Sequence, residues 1–418
     1  MRVGLVLQHF DPRRGGLEQW SVRFAERLAM RGHEVHVVAR HFGGGGNSAP
    51  VVAHRIDGAE TPLKFAEEAQ AKLSSLALDV IHDMGAGWHC DVFHPHGGSW
   101  HSITERKLSL MRPGLRELKR GLNVLLPRHR RYRALMARQY ADHGQIMLAL
   151  SRSVAEDFRR FHQVPAERIR VVYNGVDVER FSPEHRGRYR ASLRRSLGID
   201  DDTVLALIVA HNFRLKGVPT LLRAVRRFRG GPRPVRLVVV GGKRLWRWRL
   251  KAARLGVGGL VHFVGPVDDP VPYYAAADLY VHPTTYDTCS LVVLEAAASG
   301  LPVVTSRVNG VSELLKHETD ALLLRDATDV DELAGAVQAL FDDSRRAELG
   351  AAARRTALGH PLDRNVEEVL AVYEEVLASR DRKRRPRSVQ ETRRSRREVL
   401  RGQPSADSGA ARARSVLA

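Results

Sequence analysis

The chain has 418 residues, of which 43% are hydrophobic, 27% charged and 6% aromatic. This is the composition of a globular protein of two or three domains. Its two cysteines, Cys90 and Cys289, exclude a disulfide framework and a cysteine zinc site. No run of 18 apolar residues is present, which argues against a spanning helix. The apolar start at 3–7 is too short for a signal peptide, so we expect a cytoplasmic protein.

The net charge of +20 is concentrated in two segments. Residues 101–140 hold 11 Lys and Arg against Glu105 and Glu117, and residues 380–418 hold 13 against four acids. The remainder is close to neutral. A uniformly basic nucleic-acid-binding surface is therefore not expected. Beyond Ser379 the apolar period is lost and Arg, Ser, Pro and Gly dominate, which predicts a basic disordered tail at 380–418.

The first part of the chain alternates short β-rich runs with helical segments, beginning with a helix at 16–30. Such alternation predicts parallel βαβ units. A loop is predicted at 43–48, where four glycines precede Asn and Ser. The predicted strands are 2–7, 34–39, 51–56, 80–82, 92–94 and 146–150.

A second series of the same kind follows Gly175. Its predicted strands are 204–210, 236–240, 261–264, 279–282 and 302–305, and closing helices are predicted at 327–341 and 363–379. The pattern favours an α/β protein with two doubly wound parallel sheets in tandem. The predicted division is an N-terminal domain at 1–172, a C-terminal domain at 173–350, closing helices at 351–379 and the tail.

Two segments have the residue types of a phosphate site. Gly15 and Gly16 follow the first strand and open a helix, whose N-terminal amides can bind an anion. They do not form the G-x-G-x-x-G fingerprint of dinucleotide-binding proteins, and a plain turn is the alternative. Arg214 and Lys216 follow a strand of the second series, where two cations suit a diphosphate. A solvated basic turn is the alternative there.

A third segment, 286–296, precedes Gly300 and is read as the start of a helix. Asp287 can cap or precede that helix, with Glu295 about two turns in, and eight residues span about 12 Å along a helix. This spacing suits one acid for a sugar and one for a ribose, with free amides near Ser290 and Leu291 facing phosphate between them. The alternative is an ordinary capping Asp with a surface Glu.

Two weaker signals complete the survey. His96 lies in a loop after a strand, beside two glycines, where it could contact a sugar; a packed histidine is the alternative. Asp329 and Asp331 have the D-x-D spacing of metal–nucleotide sites, but they open a predicted helix, where capping is the better account.

Together these segments resemble the retaining glycosyltransferases of family 4, which have the two-domain GT-B fold with a cleft between Rossmann-like domains. The resemblance covers roughly 1–375 and is closest to the lipopolysaccharide-core sugar transferases. It departs from the family at Asp287, where a Glu is usual, and at Leu215, which separates two cations that are often adjacent. The motifs that carry it are Gly15-Gly16, Asn174 to Asp177, Arg214 to Gly217, Gly265 to Val267, and Asp287 to Val303.

The resemblance implies a metal-independent hexosyl transfer from a nucleotide sugar, with a UDP-sugar as the expected donor and no cofactor. Glu295 would bind the ribose, Asp287 the donor sugar, and Arg214 with Lys216 the diphosphate. The backbone from Gly265 to Val267 would hold the base, while His96 and Gly15-Gly16 complete the site from the first domain. His96 and Asp287 are the candidate catalytic residues.

The expected acceptor is a glycan or glycolipid of cell-envelope polysaccharide or lipopolysaccharide synthesis. A sugar-nucleotide epimerase of the same fold is one alternative, since it would share the donor pocket. A basic nucleic-acid-binding protein is the other, although it leaves the acidic pair unexplained.

The basic segment 101–133 interleaves cations with leucines. This pattern suits an interfacial helix that binds an anionic membrane, which predicts peripheral attachment at the inner face of the plasma membrane. A helix packed on its own domain is the alternative. The apolar members are Leu108, Leu110, Met111, Leu115, Leu118, Leu122, Leu125 and Leu126.

Overall fold

The computed structural model describes residues 1–43, 50–58, 60–228 and 233–384. Most of the predicted glycine loop and the predicted tail from 385 onward therefore lie outside the described residues. The prediction of a disordered tail is wrong for residues 380–384, which are helical. Residues Met1–Tyr373 form one compact unit, and a second unit begins at Glu374.

A seven-stranded parallel sheet forms the first half of the chain. Its strands are β1 Arg2–Val6, β3 Glu34–Ala39, β5 Val51–Arg55, β6 Val80–Asp83, β7 Val92–Phe93, β8 Ile146–Ala149 and β9 Ile169–Val171, and β2 His9–Phe10 pairs separately with β4 His41–Phe42. The sheet order is β5-β3-β1-β6-β7-β8-β9. The helices are α1 Gly16–Met30, α2 Pro62–Ser74, α3 Trp100–Ser109, α4 Pro113–Leu125, α5 Pro127–Tyr140 and α6 Arg152–His162.

A six-stranded parallel sheet forms the second half, in the order β12-β11-β10-β13-β14-β15. Its strands are β10 Val204–Ala210, β11 Val235–Gly241, β12 Val261–Gly265, β13 Leu279–His282, β14 Val303–Ser306 and β15 Ala321–Leu324. The helices are α7 His185–Ser196, α8 Val218–Val225, α9 Leu245–Arg254, α10 Val271–Ala276, α11 Leu291–Ala298, α12 Val330–Gln338, α13 Asp343–Leu358 and α14 Leu362–Arg384.

The central strands are apolar along their whole length because helices cover both faces of each sheet. The β10 sequence VLALIVA has one residue that is not fully buried, and two core clusters lie on opposite faces of the second sheet. Strand order reverses beside β1 and beside β10, and the carboxyl ends of strands at such points form a crevice. The predicted pair of doubly wound α/β sheets is confirmed.

The chain returns to its first half after α13. The Trp20 indole donates to Asn365 Oδ1 at 2.9 Å, and His82 Nδ1 lies 2.6 Å from the Tyr373 hydroxyl. The first part of α14 therefore packs on the first sheet's side of the molecule.

The prediction that 101–133 forms one helix is wrong. The segment contains the end of α3, all of α4 and the start of α5, because Pro113 and Pro127 each occupy a helix's first turn and cannot continue the preceding one. Leu108 is buried, whereas Leu115, Leu118 and Leu122 are exposed.

The sequence analysis did not predict β9 or β15, and it included only the second half of α13, within the closing helices predicted at 351–379. The two strands have three and four residues, and α13 is alanine- and arginine-rich with little apolar periodicity. Within the described ranges, no helix is both long and apolar enough to cross a bilayer.

Candidate functional site

A cavity of about 690 Å³ lies at the carboxyl edges of the two sheets. The first half contributes the loop before α1 and the segment after β7. The second half contributes the loops that follow β10, β12 and β13. Nine of the residues singled out from the sequence line it, namely Gly15, Gly16, His96, Lys216, Val267, Asp287, Ser290, Leu291 and Glu295.

Two predicted site residues do not line this cavity. Arg214 is exposed to solvent, so of the cations Arg214 and Lys216 only Lys216 reaches the cavity wall. Gly265 ends β12 with φ +95°, a left-handed conformation that favours glycine. It turns the chain toward Val267, which does line the cavity.

An ion pair at the cavity wall joins Lys216 Nζ to Asp287 Oδ2. His282 Nε2 lies 3.5 Å from the same carboxylate oxygen. Burial by itself would raise the pKa of Asp287, but Lys216 and His282 outweigh it and hold that pKa below its usual value. Burial lowers the pKa of His282. Asp287 is therefore an ionised carboxylate paired with a lysine.

Asp287 precedes the helix that carries Glu295, which is one of the two positions predicted for it, so the helical distance between the two acids does not apply. Helix α11 begins only at Leu291, with Ser290 as its N-cap. Asp287 instead forms a β-bridge with Asn309, and its carbonyl accepts from Gly310 N at 2.9 Å. The capping interpretation of Asp287 is also wrong, because Ser290 and not Asp287 occupies the N-cap position of α11.

Two helix N-termini meet in the cavity. Neither Gly15, the N-cap of α1, nor Ser290, the N-cap of α11, makes a side-chain cap hydrogen bond. A Cβ added at Gly16 would lie 3.3 Å from Leu291 Cδ1, so the first turns are in close contact. Because the first amides of a helix lack intrahelical acceptors and carry the positive dipole end, this arrangement favours an anion.

Glu295 is a buried carboxylate at the cavity wall, with 5% of its surface exposed. The interpretation of Glu295 as a surface residue is therefore wrong. The Tyr274 hydroxyl donates to Glu295 Oε2 at 2.9 Å. Burial raises the pKa of Glu295.

His96 is both packed and at the cavity. Its ring lies 4.5 Å from that of Trp20 and 4.2 Å from that of His94, and burial lowers its pKa to about 3, which keeps it neutral. Among the described residues, Nε2 of His96 has no hydrogen-bond partner. The Thr288 hydroxyl donates to the His96 carbonyl at 2.7 Å and so links the two halves at the site.

The sequence analysis assigned no role at the site to several residues that the structure places there. Asn174, whose Nδ2 donates to the Cys289 carbonyl at 2.6 Å, comes from the segment joining the halves. His282, which lines the cavity, was assigned only as the end of a strand, and Tyr274 of α10 contacts the cavity-lining Glu295 without lining the cavity itself. Neither His282 nor Tyr274 belongs to one of the motifs, so no local signal in the sequence pointed to them. Cys289 also lines the cavity, where burial raises its pKa to about 12.

The D-x-D segment is a helix cap, as predicted. Asp329 Oδ1 accepts from the amides of Asp331 at 2.9 Å and Glu332 at 3.0 Å. Elsewhere in the described ranges, no group of three or more His, Cys, Asp or Glu side chains is arranged to hold a metal ion.

Comparison with known families matches both halves of the chain. Residues 14–180 match the model described as Glycosyltransferase Family 4, and residues 203–343 match the model described as Glycosyl transferases group 1. A D-inositol 3-phosphate glycosyltransferase of Acidothermus cellulolyticus is 36% identical over 226 residues, or 51% of this chain. The match covers 49% of that relative, so the chain spans about half its length.

Solved structures share the fold over most of the chain. WaaG, a glycosyltransferase involved in lipopolysaccharide biosynthesis, superposes with a TM-score of 0.75 at 24% identity, covering 88% of this chain and 98% of WaaG. HepE of Anabaena, solved in complex with UDP, superposes with a TM-score of 0.67 at 19% identity, covering 90% and 100%. The two parallel-sheet domains therefore adopt the GT-B fold.

Proposed function

Because both domains of this chain belong to glycosyltransferase families, we propose that it transfers a hexosyl group from a nucleotide sugar to an acceptor hydroxyl. The observation that carries this proposal is the convergence of two uncapped helix N-termini, Lys216, the half-buried carboxylate of Asp287 and the buried carboxylate of Glu295 on one cavity. The site thus offers positive groups for a diphosphate and acidic groups for hydroxyls. HepE, which shares the fold, was solved with UDP, and this supports a UDP-sugar as the donor.

The proposed donor pose follows the chemistry of the cavity walls. The diphosphate lies against Lys216 and the first amides of α11, near Gly16. The ribose hydroxyls bind Glu295, which Tyr274 holds in place, and the base lies along the backbone at Val267. Asp287 and His96 then face the sugar from opposite halves.

The reaction breaks the bond between the anomeric carbon and the diphosphate oxygen, so negative charge grows on the leaving group. Lys216 and the amides of α11 stabilise that charge without reorganising. The acceptor oxygen attacks from the leaving group's side, and its proton passes to the departing phosphate oxygen. This route retains the anomeric configuration and requires no protein nucleophile.

We propose a glycan or glycolipid of the cell envelope as the acceptor and the membrane surface as the place of transfer. The likeness to WaaG in fold supports the first point. The second is supported by α4, which exposes Leu115, Leu118 and Leu122 to solvent beside Lys119 and Arg120. Exposed leucines flanked by cations suit the interface of an anionic bilayer.

A donor screen with purified protein tests the activity. Nucleotide sugars are incubated with and without candidate acceptors, and nucleoside diphosphate release is followed. Slow release from one donor that rises with an acceptor supports transfer. Recovery of an epimerised nucleotide sugar without acceptor identifies an epimerase instead, and no turnover of any donor contradicts the proposal.

A further inference from the structure

Helix α9 carries a basic and aromatic surface that the sugar-transfer site does not use. Between Gly241 and Val267 the chain contains no Asp or Glu. Six cations lie in this interval, and in the described ranges none of them forms an ion pair. They are Lys243, Arg244, Arg247, Arg249, Lys251 and Arg254.

The apolar side chains of α9 divide between the core and solvent. Trp248 packs on Phe213 with ring centroids 5.4 Å apart, which anchors the helix to its domain. Trp246 is 61% exposed and Leu250 is 44% exposed. Residues four apart lie on the same helix face, so Trp246 and Leu250 form one exposed apolar stripe.

Cations from neighbouring elements extend this surface. Burial lowers the pKa of Lys251, and the charges of Arg223 and Arg214 lower it further. Arg214 is the predicted diphosphate ligand that does not line the cavity; its charge belongs to the surface of α9 instead. The cations of α9, Arg214 and Arg223 therefore repel one another unless an anionic partner neutralises them.

We propose that α9, with Arg214 and Arg223, docks this domain onto an anionic lipid surface. Tryptophan favours the bilayer interface, where its ring is buried among headgroups, and each nearby Lys or Arg gains from the negative surface potential. The helix follows directly after β11, whose Val240 and Gly241 line the cavity. Docking through α9 would therefore hold the second domain's side of the cavity close to the membrane.

The residue pattern favours lipid over nucleic acid. Bases stack on an exposed tryptophan, but they gain little from an aliphatic neighbour on the same face. Burial among acyl chains explains the exposed Leu250 beside Trp246, because transfer of either side chain from water into the bilayer interface is favourable. The surface is also separate from α4, so it is a second membrane contact, independent of sugar transfer.

The first test locates Trp246 directly. The full chain carries Leu115→Gln, Leu118→Gln and Leu122→Gln, which removes the apolar face of α4. It is mixed with vesicles of equal parts phosphatidylcholine and phosphatidylglycerol bearing brominated acyl chains, which quench tryptophan at short range. We expect Trp246→Phe to abolish most of the quenching, and equal quenching with and without Trp246 would overturn the proposal.

The second test measures the charges in the same background. Arg247→Gln, Lys251→Gln and Arg254→Gln together should lower the vesicle partition coefficient about a hundredfold at low salt, at roughly fivefold per cation. The matched control removes three exposed cations elsewhere on the domain, Arg195→Gln, Arg227→Gln and Arg325→Gln, and should change partition far less. If the two triple variants lose vesicle partition equally, the effect comes from net charge alone, and the assignment of the docking surface to α9 is overturned.

Two further readouts separate this surface from its alternatives. Nucleoside diphosphate release in solution should be the same for Trp246→Phe and its parent, so that a failure of docking and a failure of sugar transfer are distinguishable. Binding of a single-stranded oligonucleotide that depends on Trp246, without vesicle binding, would identify a nucleic-acid surface and overturn the lipid assignment.

Discussion

Lys216 donates directly to the carboxylate of Asp287, and the pair joins the loop after β10 to the loop after β13. The family resemblance assigns these residues to different parts of the donor, the lysine to the diphosphate and the acid to the sugar. Their contact means that the charge of each stabilises the charge of the other, since both are largely removed from solvent. Replacing either residue therefore changes the electrostatics of both.

Loss of a charged donor-site residue should reduce turnover strongly. We expect Glu295→Gln and Lys216→Ala each to lower kcat about a hundredfold or more, because each removes a charged partner of the nucleotide diphosphate or its ribose. Arg214→Ala provides the control, since Arg214 does not line the cavity. Steady-state kinetics on folded variants checks this, and wild-type turnover in both site variants would show the site to be misplaced.

Asp287 can be separated from Lys216 by comparing binding with transfer. Asp287→Asn should reduce transfer far more than affinity for the nucleoside diphosphate alone, because the proposed role of the carboxylate is to hold a sugar hydroxyl. Calorimetry with the diphosphate and turnover with the full donor are the two measurements. Parallel losses would indicate that Asp287 acts mainly by positioning Lys216. Asp287→Glu restores the usual family residue and should shift donor preference while activity is retained.

Removal of divalent metal tests the proposed use of Lys216 and α11 as the groups that stabilise the leaving diphosphate. We expect EDTA to leave the initial rate nearly unchanged, because these groups take the place of a cation at the phosphates. The measurement is the rate with EDTA, followed by readdition of Mg²⁺ or Mn²⁺. A strict requirement for either ion would contradict the mechanism.

Buried histidines should make the fold sensitive to acid. Burial lowers the pKa of His82 to about 3, so the folded chain resists a proton that the unfolded chain accepts below its ordinary value. The stabilising contribution is therefore complete above about pH 6.5 and declines as the pH falls toward 3. At pH 5 the loss from His82 is roughly 2 kcal/mol.

The variant His82→Gln isolates this effect, because glutamine can still bond to Tyr373 but does not titrate. Urea unfolding at pH 7, 6 and 5 should give a shallower fall in the free energy of unfolding for the variant than for the wild type. Asp83 acts in the opposite direction, since burial raises its pKa to about 7, but it is present in both proteins and cancels in the difference. Identical slopes would contradict the prediction.

The exposed leucines of α4 should contribute to membrane binding. Sedimentation with anionic vesicles at low salt should fall for Leu115→Gln, Leu118→Gln and Leu122→Gln combined, because the variant cannot bury its apolar face in the interface. Met30→Gln, Val52→Gln and Leu358→Gln form the control, since these three side chains are exposed on other elements. Equal losses in the two triple variants would sink the assignment to α4.

Local pattern was sufficient for the architecture and for nine of the eleven residues proposed for the site. The apolar runs of β10 and β13 and the helix at Gly16–Met30 were predicted with the bounds that the structure has, because each buries a continuous apolar set against its neighbours. The glycines before α1 and the loop before α11 were recognised because phosphate sites at strand ends require those residue types.

Tertiary structure alone decided which of these residues meet. The sequence left open whether Asp287 caps or precedes the helix of Glu295, whereas the folded chain pairs Asp287 with Asn309 in a β-bridge and with Lys216 in an ion pair. Arg214 and Lys216 are two residues apart, yet one reaches the cavity and the other joins the surface of α9, because the tight turn that ends in Gly217 sends their side chains to different neighbours. Contacts between segments that are distant in the chain leave no periodic pattern in the sequence. Burial and charge pairing in the folded chain therefore determine which side chains meet at the cavity.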